Sequence, residues 1–315
     1  MIIRKLYLKS KWKLQDGLNN FGFPMRFKPI PGSVRVLCFH GICDDDTAFI
    51  NGRFMHESQF RVLIEALQKR CNIIHLDDFL AKRFEPTKLN ILLTFDDGYQ
   101  NNQDLVLPII EKLNVPITLF VTSREERPLW ADLVDILQAK KVKLTEIEAV
   151  FPEIARLSNH AIKQWIPTLS LDQIEQLTNL LYSISEPHLA DKKVFWELIS
   201  RANLESLAKH PLVSIGNHSA NHLDFTELTP HEMKAELDSC ENYLESIGSK
   251  HPSIVAYPYG RHTTETANLL IEWGYHTQFI TEKHTDSPPA MIERLVVNPF
   301  ISLRNQLKSI EHGGY

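Results

Sequence analysis

Short apolar runs recur along the chain at spacings that leave room for a helix between them: Val34 to Phe39, Asn72 to Leu76, Asn90 to Phe95, Ile117 to Val121, Leu212 to Ile215, Ser253 to Tyr257, His276 to Ile280 and Leu295 to Phe300. Between them the apolar positions change to the spacing of an amphipathic helix, as in Phe60 to Lys69 and Leu105 to Leu113. Continuous apolar runs read as strands buried on both faces, and their alternation with helices predicts a parallel sheet closed as a barrel. Thr229-Pro230-His231-Glu232 is a helix start, with a capping hydroxyl, proline at the first position and glutamate at the third. Asp77-Asp78, before Phe79-Leu80-Ala81, reads as a second one, with the pair as caps. From Arg124 to His210 the alternation stops and only helical spacing remains, so this segment is expected to be a helical insertion. It follows a strand end and could fold over the barrel mouth, where Trp130, Trp165 and Trp196 are either stacking platforms or, among leucines at helical spacing, core.

The strand Asn90 to Phe95 ends in Asp96, Asp97 and Gly98. Adjacent carboxylates at a buried strand end repel each other and lose hydration, so they call for a cation. Leu212 to Gly216 delivers His218-Ser219-Ala220-Asn221-His222, a pair at i and i+4 that a helical turn would place on one face. Two imidazoles and a carboxylate suit Zn2+ or a similar divalent ion and leave coordination positions open, as in catalytic sites. Barrel active sites lie at strand C-termini, which groups His40, Asp96, Asp97, His218, His222 and Tyr259.

Thr94-Phe95-Asp96-Asp97-Gly98 and His218-Ser219-Ala220-Asn221-His222 resemble the first two motifs of the NodB-type polysaccharide deacetylases, the fourth carbohydrate esterase family, which remove N-acetyl or O-acetyl groups from sugars. Ala256-Tyr257-Pro258-Tyr259-Gly260 resembles the family's Pro-Tyr-Gly segment; Val115 to Val121 and Trp273-Gly274-Tyr275 extend the similarity from about Val34 to Arg294. The resemblance implies Asp97, His218 and His222 as metal ligands, Asp96 as general base, and the Tyr259 backbone N–H as an oxyanion donor. The fold class expected is α/β, a distorted (β/α)7-type barrel with the helical insertion.

The general acid is harder to place, because Leu295 to Phe300 carries no histidine where many family members keep a Leu-x-His segment, and His312 stands in a polar tail. Val34 to Phe39 leads instead into His40 and Gly41. This placement resembles the circularly permuted branch that includes poly-N-acetylglucosamine deacetylases, and implies His40 as the acid; a satisfied strand-end histidine is the alternative. Ala256 occupies the place of an arginine that orients the base in many relatives, leaving Arg294, similar to a late arginine of the permuted branch, or Arg261 for that task. The family's fourth motif is not recognisable.

With 315 residues, 43% hydrophobic and 23% charged, the chain can bury a large core. A net charge of -5 gives no reason to expect nucleic acid. Cys38, Cys43, Cys71 and Cys240 have neither paired zinc spacing nor a disulfide framework, which fits a reducing interior; Cys38 reads as an ordinary strand residue. Residues 1–30 read as a basic extension with at most peripheral membrane contact through 1–28, since no apolar run long enough for a signal peptide or membrane span follows. The remainder, 31–315, reads as the barrel, with the insertion at about 124–210. The expected function is metal-dependent removal of an N-acetyl group from a sugar or glycan in surface-polysaccharide assembly, in the cytoplasm, with Zn2+ first and Co2+, Ni2+ or Fe2+ as alternatives. An O-acetyl esterase, a non-sugar amidase, and a non-catalytic glycan-binding protein on the same barrel stay open.

Overall fold

The computed structural model describes residues 29–44, 50–124, 127–282 and 288–313, with Ser10, Leu14 and Gly17 as isolated positions, so the proposed membrane contact of residues 1–28 lies almost wholly outside the described residues. The described strands are β1 (Val34–Phe39), β2 (Ile42–Cys43), β3 (Met55–His56), β4 (Asn72–Ile73), β5 (Asn90–Phe95), β6 (Ile117–Val121), β7 (Val213–Asn217), β8 (Ile254–Ala256), β9 (Thr277–Ile280) and β10 (Met291–Val296). Around the barrel the order is β1-β10-β9-β8-β7-β6-β5, closed by β5 pairing with β1 and parallel throughout. This is the (β/α)7-type barrel, and its apolar strands bury Leu37, Leu93, Phe95, Leu119 and Ile215 together with the flanking helices.

The run Asn72 to Leu76 contributes only two strand residues, paired outside the ring with Asn90 and Ile91, while β6 pairs with the other end of β5 at Thr94 and Phe95. The chain then enters a short helix at Leu76, capped by extended His75; Asp77 and Asp78 lie in its first turn, where their charge meets the helix dipole, and do not cap it. The last strand is Met291–Val296 and not Leu295 to Phe300, because Pro299 has no amide to donate and Phe300 is exposed. Arg294 is therefore inside a barrel strand.

The described α-helices are α1 (Glu57–Gln68), α2 (Leu76–Leu80), α3 (Leu107–Leu113) behind a π-turn at Asn102–Val106, α4 (Trp130–Ala139), α5 (Thr145–Val150), α6 (Asn159–Trp165), α7 (Leu171–Leu189), α8 (Arg201–Leu207), α9 (Pro230–Ser246), α10 (Thr264–Glu272) and α11 (Leu303–His312). Helices α4 to α8 lie between β6 and β7, and most of them share an apolar cluster of their own, with Leu133, Leu137, Phe151, Leu177 and Leu181 at its centre. Trp165 packs edge-on against Phe151, Trp196 donates its Nε1 hydrogen to the Leu189 carbonyl, and both are half-buried against this cluster. Thr229 and Glu232 form the expected capping box at the start of α9.

Candidate active site

Strand β5 carries the two aspartates out of the barrel, with the Asp96 amide still donating to the Phe39 carbonyl. Asp97 (φ 76°) and Gly98 (φ 77°) then take the left-handed conformation, and a Cβ on Gly98 would meet the Val121 side chain at 3.0 Å. That bend gives the neighbouring carboxylates different surroundings. Among the described residues seven non-glycines have positive φ, and four of them, Asp97, Ser219, His222 and Tyr259, are at this rim, so backbone strain is concentrated where the candidate residues meet.

Asp96 lies against β10. The Arg294 guanidinium grips it with Nη1 donating to Oδ1 at 2.6 Å and Nη2 to Oδ2 at 2.8 Å, a fork that is 0% exposed on its arginine side. Arg294 also lies over the Phe120 ring at 5.4 Å. Burial by itself pushes the Asp96 carboxyl up, but the guanidinium overrides it and holds the group below its ordinary value. Arg261, the other candidate, donates instead to Asp224 at 2.9 Å. The Cys38 thiol donates to Asp96 Oδ2 at 3.3 Å, a contact the sequence does not reveal, since its apolar neighbours mark Cys38 only as a strand residue.

Asp97 turns toward β7, where its Oδ1 lies 3.4 Å from His218 Nε2 and 3.2 Å from His222 Nε2. The two histidines do not ride on a helical turn. They sit in an irregular loop after β7, shaped by left-handed Ser219 and His222 and tied down where Asn217 Oδ1 accepts the Ser219 amide and Glu236 of α9 accepts from Asn221. His218 Nδ1 is 2.8 Å from the Ala256 carbonyl, which can only accept, so Nδ1 carries a proton and Nε2 is turned toward Asp97. His222 Nδ1 contacts the Tyr259 hydroxyl at 3.1 Å, leaving its Nε2 toward the same point. Asp97 Oδ1 is buried without a hydrogen-bond partner. Burial pushes the Asp97 carboxyl up, yet Arg53 and the two histidines together hold it well below its ordinary value. Ligand atoms of Asp97, His218 and His222 all lie within 4.8 Å of one another: two nitrogens and an oxygen, converging on a place that positive charge would satisfy.

His40 follows β1 and is partly exposed; its ring, Cys38 and Asp96 likewise offer ligand atoms within 4.8 Å of one another. Burial lowers its pKa to about 4 against the opposing pull of Asp97, so the imidazole is neutral near pH 7. Tyr259 is left-handed, with its ring between His222 (4.7 Å) and buried Trp130 (6.0 Å). Arg53 and Asp132, which the sequence reading passes over, reach the same rim: Arg53 donates to Asp97 Oδ2 at 3.1 Å and to Asp132 at 2.9 Å. The one available signal was Asp132 itself, an acid inside the apolar stretch from Leu129 to Leu133.

The polysaccharide deacetylase family profile matches residues 85–138 and 190–278, spans that contain Asp96, Asp97, His218, His222 and Tyr259. The chain belongs to the polysaccharide deacetylase family. Residues 139–189, within the helical segment between β6 and β7, fall outside the matched spans. The Bacillus subtilis protein YxkH, provisionally named a polysaccharide deacetylase, is 18% identical over 282 residues, covering 86% of this chain and 74% of YxkH. The solved Streptococcus pyogenes deacetylase PplD, in complex with acetate, matches with a TM-score of 0.58 at 16% identity over 90% of this chain and 99% of that one. IcaB from Ammonifex degensii matches with a TM-score of 0.57 at 15% identity over 89% and 97%. At these identities the solved structures establish the shared fold.

Proposed function

We propose that this polysaccharide deacetylase is a metal-dependent hydrolase that removes an N-acetyl group from a sugar or glycan during surface-polysaccharide assembly. The observation that carries the proposal is the unpartnered Asp97 Oδ1, buried between two imidazole nitrogens whose other ring nitrogens are engaged. Asp97, His218 and His222 would hold a divalent ion, Zn2+ by donor type, with Co2+, Ni2+ or Fe2+ accepted by the same set. When bound, the ion supplies Lewis acidity at the acyl oxygen and a more acidic attacking water.

The chain's own residues do the rest. Asp96, ionised and oriented by the Arg294 fork, takes the proton of the attacking water as oxygen adds to the acyl carbon. His40, neutral beforehand and partly exposed, takes a proton from solvent as negative charge builds beside it and passes it to the amine nitrogen as the C–N bond breaks and the acyl group leaves as acetate. The Tyr259 backbone N–H donates to the tetrahedral oxyanion. Residues 31–315 form the catalytic unit, with about 124–210 as its helical insertion. No helix among the described residues is long and apolar enough to cross a membrane. The proposed place of the reaction is the cytoplasm, before export.

The test is acetate release from N-acetylated sugars, oligosaccharides and nucleotide sugars, beside O-acetylated counterparts, by metal-loaded protein and its Asp96→Asn variant. Release from N-acetylated substrates that disappears in the variant while metal stays bound supports the proposal. Release from O-acetylated substrates alone would make the protein an esterase, and metal binding without any release would make it a glycan-binding barrel.

A further inference from the structure

The two oxygens of Asp97 face different surroundings. Oδ1 faces the histidines, and Oδ2 takes a hydrogen bond from Arg53 Nη1 at 3.1 Å. Arg53 precedes β3 in a loop, with its side chain 28% exposed, and an arginine there would ordinarily exchange rotamers into water. It is held on the remaining sides. Its Nη2 donates to Asp132 Oδ1 at 2.9 Å and to the Tyr99 hydroxyl at 3.0 Å, and its Nε donates to Asn51 Oδ1 at 3.1 Å. Asp132, 1% exposed, in turn accepts from Asn51 Nδ2 and from the Tyr99 hydroxyl, both at 2.9 Å.

A buried carboxylate is costly unless it is paired, and such groups are kept where they fix a geometry that an apolar residue could not. Asp132 lies in the first turn of α4, in the stretch between β6 and β7. Two residues earlier in the same turn, Trp130 packs on the Tyr259 ring, whose hydroxyl contacts His222. One helical turn thus reaches both the carboxylate and one imidazole of the candidate metal site through a single intermediary each.

We propose that Asp132 is a positioning residue for the metal site: through Arg53 it locks Asp97 Oδ2, leaves Oδ1 alone for the ion, and so makes the aspartate a one-oxygen ligand. The inference rests on the metal-dependent reading of Asp97, His218 and His222. Ligation through one oxygen leaves more of the coordination sphere for water and the acyl oxygen, and the helical segment becomes part of the site's scaffold rather than only a wall for the sugar.

The experiment titrates chelator-stripped protein with Co2+ against a chromophoric competitor and records the visible Co2+ spectrum and metal-free thermal unfolding. It compares wild type with Asp132→Ala, isosteric Asp132→Asn, Arg53→Ala and the Asp132→Ala/Arg53→Ala double variant. The expected result is a loss of about 10–100-fold in Co2+ affinity for Asp132→Ala with an altered spectrum. The double variant should be no worse than Arg53→Ala, because both act on one oxygen. If Asp132→Ala does not fold, Asp132→Asn carries the comparison, with a smaller loss of the same kind. Wild-type affinity and spectrum in the folded Asp132 variants would overturn the inference and leave the metal site standing. Wild type that binds no Co2+ would overturn the metal reading and this inference with it.

Discussion

Asp96 and Asp97 are neighbours in sequence, and each is met by an arginine, but the two arginines come from different kinds of structure. Arg294 belongs to barrel strand β10, is fully buried, and grips Asp96 with both ends of its fork. Arg53 belongs to a loop, is 28% exposed, touches Asp97 with one nitrogen, and depends on Asn51, Tyr99 and Asp132 for its position. A strand supplies rigidity through its ladder, so one residue suffices; a loop has none to supply, and the same task takes a network drawn from three segments. The groups also titrate in opposite senses. Burial pushes both Asp96 and Asp132 up, but Arg294 overrides it at Asp96, whereas at Asp132 Arg53 opposes it only in part, Asp97 and Asp135 add to it, and that carboxyl is left at about 7.

The contrast can be broken most directly by kinetics. Asp96→Asn is expected to lower kcat by about 10²- to 10⁴-fold on whichever acetylated substrate turns over, with metal still stoichiometric by elemental analysis. Loss of metal in that variant would mean that the two carboxylates do not have separate roles. Next in size is stability measured by urea unfolding. Arg294→Met orphans a buried carboxylate and should cost about 3–5 kcal/mol. Arg53→Met should cost less, about 1–3 kcal/mol, because water reaches its side of the network. Equal losses would remove the distinction between strand and loop. Gly98→Ala, which forces a Cβ into the left-handed bend and against Val121, should cost about 1–2 kcal/mol in the same assay and lower metal affinity by misdirecting Asp97.

The smallest effect expected is a dependence on pH. A carboxyl raised from the ordinary value near 4 to about 7 keeps its proton in the folded state after the unfolded chain has lost it, so its contribution is fully present below about pH 4 and declines as pH rises to about 7. Metal-free wild type should therefore lose stability relative to Asp132→Asn across that window. Asp96 runs the other way: its depressed value contributes stability above the ordinary carboxylate range, which is lost as pH falls through it. A wild-type minus Asp132→Asn difference that stays flat from pH 4 to 7 would place the Asp132 carboxyl near its ordinary value.

Much of the barrel was legible because a strand buried on both faces needs an apolar run, and six of the seven ring strands largely coincide with one; β10 does not, since Glu293 and Arg294 interrupt it. Two strand boundaries shifted where local chemistry prevailed: His75 and the first-turn acids began a helix early, and Pro299 ended the last strand. The histidine pair was visible by its spacing, yet the spacing suggested a helical turn. What brings the rings together is a loop with left-handed Ser219 and His222, held by Glu236 on a different element.

By itself the sequence determined which candidate groups stand together in motifs and at which strand ends they emerge, since motif residues and apolar periodicity are local properties of the chain. It offered Arg294 and Arg261 as equal candidates to face Asp96, and it was silent on Arg53, Tyr99 and Asp132. The tertiary structure decided those matters. Closing the barrel sets β1 between β5 and β10, which carries Arg294 to within hydrogen-bonding distance of a residue 198 positions away, and docking α4 at the rim brings Asp132 to Arg53. Partner choice across such separations depends on ring closure and packing, which no local pattern along the chain encodes.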